Sequence, residues 1–391
     1  MPLKRFGRIV GGATPRASPE LWDEGITWYT PTDVSRVHGR TLGRSMRTLS
    51  CAGVESCSIS RIPPWSVVFT SRAPIGNVAL TDRECTTNQG CKTLIPGPDV
   101  EPRFVLYCAT VRTAAMRAAG VGTTFLEVSG DRLGTVRFPK PDGSLQRAIS
   151  DFLDRECARI AAVLAASDQL NELALELLSS DIYEKLIRGP DQVPLGRLLT
   201  LQRGHDLPEG ERSNSGYPVV GSGGIVGLHN QPVCPGPGVV TGRYGSVGAV
   251  HWIDGPHWPL NTTLYVRDSK GHDLRYLYWL LKGLPLASDA AKSAVPGLHR
   301  ADAHRMTVAR LSRDSQVKEF RSLDAIAARV DRFQVLAARL SLGLKQYRDA
   351  LITEAVTGQL DVTKVSETQM DERLNAAAEG ASTGTPASTD Q

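Results

Sequence analysis

Across residues 323–351, apolar side chains return every three or four positions: Leu323, Ile326, Val330, Phe333, Ala337, Leu340, Leu344, Tyr347 and Leu351. Alternating steps of three and four place them on one seam of a helix, the pattern of a coiled coil. A second stretch copies the first without a gap. Gln146 aligns with Gln316, Leu153 with Leu323, Ile160 with Val330, Val163 with Phe333, Leu170 with Leu340 and Ile182 with Ile352, always 170 residues apart. The earlier copy is less pure: Glu156, Ser167 and Asp181 fall on its seam, and Leu164, Leu173 and Leu178 widen its stripe. A single amphipathic helix can pack on its own domain. Two matching helices of about 40 residues, each roughly 60 Å long, are too long for either small domain to cover, so they are predicted to pack on each other. The candidate seam is Leu153, Ile160, Val163, Leu170, Leu177, Leu323, Ile326, Val330, Phe333, Leu340, Leu344, Tyr347 and Leu351.

Outside the helices the pattern changes. Short apolar runs cut by Gly and Pro, such as Ser66-Val-Val-Phe-Thr70, Gly76-Asn-Val-Ala-Leu80, Gly238-Val-Val-Thr-Gly242 and Val247-Gly-Ala-Val-His-Trp252, predict strands joined by turns. Residues 274–282 read as a helix. The start of the chain, Met1-Pro-Leu-Lys-Arg, is echoed by Val193-Pro-Leu-Gly-Arg197, so the repeat spans the whole chain. The expected fold is α+β, with two similar mixed segments separated by two long helices packed as an antiparallel coiled coil. The expected limits are 1–145 and 191–315 for the globular segments and 146–190 and 316–362 for the helices. Residues 363–391, poor in large apolar side chains, are expected to be a disordered tail.

Composition narrows the function. A net charge of +4 and a pI near 8.7 permit a polyanionic partner without demanding one. No apolar run is long enough for a membrane helix, and the N-terminus lacks a signal-peptide core, so the cytoplasm is the expected compartment. Seven cysteines, an odd number, argue against a disulfide framework, and the Cys51/Cys57 and Cys85/Cys91 spacings suit reduced structural thiols better than zinc.

Two segments carry candidate chemistry. Thr70-Ser-Arg-Ala-Pro-Ile-Gly-Asn-Val78 with Thr87-Asn-Gln-Gly-Cys-Lys92 reads as one device, and Thr241-Gly-Arg-Tyr-Gly-Ser-Val-Gly248 with Pro259-Leu-Asn-Thr-Thr-Leu264 as its copy. Each has an Arg at a strand end, a Gly turn, a strand and an Asn. Arg matches guanine edges or phosphates, and Asn or Gln matches adenine. Arg72/Arg243 and Asn88/Asn261, recurring in both copies, fit a turn-holding role better, because two readers should differ where they touch bases. The candidate DNA-contacting residues are Arg72, Asn88, Gln89, Lys92, Ser222, Arg243, Tyr244, Asn261, His299 and Arg300. Gly221-Ser-Gly-Gly-Ile-Val-Gly227 lacks the Lys-Ser/Thr ending of a phosphate loop. Asp181-Ile-Tyr-Glu-Lys185 resembles part of a nuclease set but suits a solvated helix face. No Asn-Pro-Pro-aromatic methylation motif, zinc-protease motif or nucleophile elbow stands out. No catalytic residue and no metal ligand is expected.

Taken in order, these pieces resemble the specificity (S) subunit of type I restriction–modification systems, over about residues 2–362. The resemblance rests on Gly11-Gly-Ala-Thr-Pro15, Trp28-Tyr-Thr-Pro31, Arg72-Ala-Pro-Ile-Gly76, Thr87-Asn-Gln-Gly90 and Gly122-Thr-Thr-Phe125 in the first half. In the second half it rests on Tyr217-Pro-Val-Val-Gly-Ser-Gly-Gly224, Trp258-Pro-Leu-Asn-Thr-Thr263, Ala294-Val-Pro-Gly-Leu298 and Ala355-Val-Thr-Gly-Gln-Leu-Asp361. The resemblance implies two target recognition domains that grip the halves of a split asymmetric DNA site, with the coiled coil as spacer. It implies a non-catalytic chain whose partners are double-stranded DNA, two methyltransferase subunits and restriction/translocase subunits. S-adenosylmethionine, ATP and Mg would then sit on those partners, with no cofactor on this chain. Pro139-Lys-Pro141 and Arg310-Leu-Ser-Arg313 depart from the family's Pro-Pro before each helix. The competing classes are a stand-alone DNA methyltransferase or endonuclease, and a coiled-coil scaffold for protein partners.

Overall fold

The computed structural model describes residues 1–57, 59–122, 126–287 and 297–383. Most of the motifs at 122–125 and 294–298, and the end of the expected tail at 384–391, lie outside the described residues. The chain divides into two compact units, residues 1–166 with 338–391 and residues 167–337. The boundary falls inside both long helices, whereas the sequence reading put domain limits at their ends.

The first unit contains strands β1 (Gly7–Gly11), β2 (Trp22–Tyr29), β3 (Arg47–Leu49), β4 (Val67–Thr70), β5 (Val78–Leu80), β6 (Thr86–Thr87) and β7 (Cys91–Pro96). An antiparallel sheet runs β1-β7-β4-β5. Beside it β2 pairs antiparallel with β3 and parallel with β6. The second unit contains β8 (Gln192–Pro194), β9 (Thr200–Arg203), β10 (Tyr217–Gly221), β11 (Gly224–His229), β12 (Gly238–Gly242), β13 (Val250–Ile253), β14 (Trp258–Pro259), β15 (Thr263–Asp268) and β16 (Thr307–Ala309). Its main sheet runs β9-β15-β12-β13, and β10 pairs antiparallel with β11 and parallel with β14. The main sheet and the three-stranded sheet follow the same strand order in both units, and the second unit adds the antiparallel pair β8–β16.

The long helices span Gly143–Ile182 and Arg313–Thr357. Both start three residues before the expected 146 and 316. Asp142 accepts from the amides of Ser144 and Leu145 at 3.0 and 2.9 Å, and Ser312 Oγ accepts from the Ser315 amide at 3.3 Å. These side chains satisfy the orphan donors of the first turn and set the start. Inside each start lies the repeated glutamine. Gln146 Nε2 donates to Pro141 O at 2.9 Å and Gln316 Nε2 to Leu311 O at 3.0 Å, both from buried positions.

Each unit buries the start of one long helix with the end of the other, so the helices run antiparallel. In the first unit, Ile149, Phe152 and Leu153 share a core with Leu351, Ile352, Ala355 and Val356, and with Phe104 and Val105. In the second, Leu178 and Ile182 share a core with Leu323, Trp279 and Leu280. Full burial of each such side chain stabilises by about 1.5–3 kcal/mol. One polar device is built twice. Arg103 Nη1 and the Tyr107 hydroxyl donate to Asp154 at 2.6 and 2.5 Å, while Arg275 Nε and Trp279 Nε1 donate to Asp324 at 2.8 and 2.7 Å. Asp154 and Asp324 are 170 residues apart. Each ties the helix Pro102–Thr110 or Leu274–Gly283 of its own unit to a long helix.

The seam needs correction on the first helix. Leu153, Ile160, Leu323, Val330, Leu344 and Leu351 are buried, and Ile326, Phe333, Leu340 and Tyr347 are half-buried. Val163, Leu170 and Leu177 are exposed, at 38%, 55% and 70%. The buried stripe passes instead through Leu164, Ser167, Asn171, Ala174 and Leu178, of which only Leu178 is fully buried. From Leu153 to Leu178 is 25 residues, close to seven turns of 3.6. A strict seven-residue repeat drifts off such a helix. The second helix keeps the heptad and the first does not.

The tail also differs from expectation. A helix spans Glu367–Thr383. A reciprocal capping box opens it: the Gln369 amide donates to Ser366 Oγ at 3.3 Å, and the Ser366 amide to Gln369 Oε1 at 3.0 Å. Met370 is buried in the first unit's core, Asp371 bonds Arg159, and Arg373 Nη2 reaches Glu354 at 2.6 Å. One apolar anchor and two ion pairs, on an Ala-rich helix-forming segment, order a stretch whose composition alone suggests disorder.

Candidate nucleic-acid interface

In each unit three loops, after β1, β4 and β6 in the first and after β9, β12 and β14 in the second, gather around one backbone motif. The Asn88 amide donates to Tyr29 O at 2.9 Å, and the Leu260 amide to Val220 O at 2.9 Å. The Ser71 amide donates to Gly90 O at 2.8 Å, and the Arg243 amide to Thr262 O at 2.9 Å. The Gly76 amide donates to Thr70 O at 3.1 Å, and the Gly248 amide to Gly242 O at 3.0 Å. Both glycines have positive φ, 97° and 79°, which a turn this tight requires. Every pair is offset by 172 residues except Tyr29 and Val220, which are 191 apart.

This register corrects the sequence pairing. Arg72 with Arg243 needs an offset of 171, and Asn88 with Asn261 needs 173. The true counterparts are Ser71 and Arg243, Arg72 and Tyr244, Asn88 and Leu260, Gln89 and Asn261. Residue identity misleads across these loops because the repeat preserves backbone hydrogen bonds and not side chains.

In the first unit Arg72, Asn88, Gln89 and Lys92 come together. Asn88 Oδ1 accepts from the Gly90 amide at 2.9 Å, closing the turn and removing that oxygen from base contact. A Cβ at Gly90 would stand 3.1 Å from Arg72 Nε, so the guanidinium lies over the turn. Lys92 Nζ donates to Gln89 O at 3.3 Å and stands 3.8 Å from Glu127. Gln89 is exposed, and its Oε1 takes a bond from Thr14 Oγ1. Beneath, burial pushes the Cys91 thiol up to about 12, with Asp33 adding to the shift and Lys92 and Arg72 opposing it. Cys85 is raised likewise. All seven cysteines are free, and those two are inert structural thiols.

In the second unit Ser222, Arg243, Tyr244 and Asn261 come together. Arg243 Nη2 donates to the Tyr244 hydroxyl at 3.1 Å, with the guanidinium 4.4 Å from the ring centroid, and Nη1 reaches Asn261 O at 3.5 Å. Asn261 Nδ2 donates to Asp206 Oδ1, and Arg203 Nη2 stands 3.5 Å from the same carboxylate. Ser222 lies in the β10–β11 hairpin, where its carbonyl is 3.0 Å from His251 Nε2. That hairpin shows why the glycine cluster is not a phosphate loop: no helix follows it. His299 and Arg300 are exposed and follow Leu298, whose amide donates to Arg243 O at 2.9 Å. Lys185 donates to Asp181 at 2.7 Å and to Ser322 at 3.2 Å, so the nuclease-like segment is a salt-bridged helix face.

Sequence reasoning missed Thr14, Arg203 and Asp206. The signal was present in the repeat. Gly12 and Gly204 each sit where a Cβ would fall 2.1 Å from a carbonyl, of Asn88 and of Leu260 respectively. Only glycine allows that approach, and it brings the side chain two residues later onto the loop amide. Among the described residues no group of three or more His, Cys, Asp or Glu could hold a metal.

Residues 1–168 match the family model described as type I restriction modification DNA specificity domain. The chain is 28% identical over 229 residues to the type I restriction enzyme MjaIX specificity subunit of Methanocaldococcus jannaschii, covering 54% of this chain and 53% of that one. The chain is thus similar, through its first 168 residues, to the DNA specificity domain of type I restriction–modification systems. It spans about half the length of that curated relative in the matched region. Two solved structures are similar to it over nearly their whole length. One, from work described as the structural basis underlying complex assembly and conformational transition of the type I R-M system, has a TM-score of 0.75 at 16% identity, covering 92% of this chain and 97% of that one. The HsdS subunit of Thermoanaerobacter tengcongensis has a TM-score of 0.53 at 16% identity, covering 92% and 96%. At such identities the likeness speaks for the fold alone. Among the described residues no helix is long and apolar enough to cross a membrane.

Proposed function

We propose that this chain is the non-catalytic, sequence-reading subunit of a type I restriction–modification complex, acting in the cytoplasm on double-stranded DNA. Each unit reads one half of a bipartite, asymmetric site. The observation that carries this reading is the repeated loop motif: one backbone arrangement presents Arg72, Gln89 and Lys92 in the first unit, and Arg203, Arg243, Tyr244 and Asn261 in the second. Cations suited to phosphate flank an amide suited to a base edge in both. Different side chains on one skeleton are what two readers of different half-sites require. Two methyltransferase subunits and the restriction/translocase subunits are the proposed protein partners, bringing S-adenosylmethionine, ATP and Mg with them.

Mapping adenine methylation in cells with and without this chain, alongside its partner subunits, tests the reading. A bipartite methylated motif should appear only with the chain. The Arg72→Ala variant should weaken duplex binding about equally across sequences and lower the salt slope by about one if Arg72 holds a phosphate. Alternatively, it should relax one base of one half-site if Arg72 reads an edge. Methyl transfer by the chain alone, shown pure by mass spectrometry, would refute the proposal.

A further inference from the structure

The two units present their loop amides differently. In the first, Thr14 Oγ1 bonds Gln89 Oε1; in the second, Asp206 Oδ1 accepts from Asn261 Nδ2. The pairs are equivalent. Thr14 follows Gly12 by two residues as Asp206 follows Gly204, the Ala13 amide donates to Thr87 O at 2.9 Å, and the His205 amide donates to Pro259 O at 2.8 Å. The chemistry differs. A hydroxyl both donates and accepts, so Thr14 can hold Gln89 in either amide orientation. An ionised carboxylate only accepts. Asp206 therefore admits only the orientation in which Nδ2 faces it. Arg203, 3.5 Å away, steadies that carboxylate, and Arg243 Nη1 reaches the Asn261 backbone carbonyl from the other side at 3.5 Å. No described residue takes Asn261 Oδ1.

We propose that Asp206 is a positioning residue for specificity: it locks the Asn261 amide with Oδ1, and the second hydrogen of Nδ2, facing the DNA. This rests on the reading of the chain as a DNA-binding subunit. A base that satisfies Oδ1 must offer an amino group on its major-groove edge, as adenine and cytosine do. Adenine fits best, since its N6 amino group donates to Oδ1 while its N7 accepts from Nδ2. Guanine and thymine offer only acceptors there, so they could take the Nδ2 hydrogen but would leave Oδ1 without a donor. In the first unit the hydroxyl imposes no such choice, so Gln89 tolerates either class of base.

The test uses the full complex in cells, with Asp206→Asn and Asp206→Thr variants. Asn can present either atom of its own amide to Asn261, and Thr copies the first unit. Asp206 is an exposed side chain, so neither change threatens the fold, and thermal melting should confirm that. The wild-type complex should give a bipartite methylated motif with adenine or cytosine at one position of the second half. Both variants should admit guanine or thymine there, leaving every other position and the first half unchanged. In duplex binding, wild type should discriminate about tenfold or more between adenine and thymine at that position, and Asp206→Asn about threefold or less. An unchanged motif in both variants overturns the role of Asp206 while leaving the DNA-reading proposal intact. Broadening in the first half, or at several positions, overturns it as well. Absence of any bipartite motif with wild type defeats the underlying reading instead.

Discussion

The two units differ least in their backbones and most in the side chains those backbones carry. Val128 donates its amide to Ser71 O at 2.9 Å, and Leu298 to Arg243 O at 2.9 Å. The acceptors are a small serine in one unit and an arginine in the other, yet the bond is the same. Main-chain groups must be satisfied wherever they are buried, so a duplicated fold keeps those bonds. Exposed side chains on the loops carry no such constraint and are free to diverge. The long helices teach the reverse. Their buried positions repeat, as Leu153 and Leu323 do, but the two seams follow different periods because only one keeps a strict heptad.

The largest effects should come from that shared interior. Leu153→Asp and Leu323→Asp each place a carboxylate at a fully buried position. Each should cost more than about 3 kcal/mol, read as a lower melting temperature and lost cooperativity in circular dichroism. A small effect at one position alone would break the equivalence of the two units.

A middle-sized effect should come from the twice-built aspartate. Asp154→Ala strands the Tyr107 hydroxyl and takes from Arg103 one of three carboxylates, leaving Glu101 and Asp151, while Asp324→Ala strands Arg275 and Trp279 Nε1. Each should lose about 1–3 kcal/mol in urea unfolding, less to the extent that water reaches the half-exposed partners. Losses that differ by more than about 2 kcal/mol would show that the devices are alike only in geometry.

The smallest effect sharpens the seam. Leu177→Ser, at a side chain 70% exposed, should change stability by no more than about 0.5 kcal/mol. Its buried neighbour Leu178→Ser should cost about 2–5 kcal/mol. Equal losses would restore the heptad on the first helix.

Much of the architecture was legible along the chain. The 170-residue repeat, the helical seam of the second copy and the strand-and-turn style of both segments are local patterns, set by side-chain periodicity. The tail helix was legible too, in Ser366 and Gln369 three residues apart, but composition concealed it. Of the candidate interface, the cations and amides were visible as residue types at strand ends. Their register was not, because the offset changes from 170 to 172 between helix and loop, and only strand pairing measures it.

What the sequence determined by itself was therefore the repeat, the element types and the kinds of side chain available to each loop. The tertiary structure decided which of them meet. It moved the buried stripe of the first helix from Leu177 to Leu178, since a helix turns by 3.6 residues whatever the heptad suggests. It also set Thr14 against Gln89 and Asp206 against Asn261, across 75 and 55 residues of chain. Such contacts depend on strand pairing and on the close approach that Gly12 and Gly204 allow, and no local pattern encodes a distance between segments so far apart.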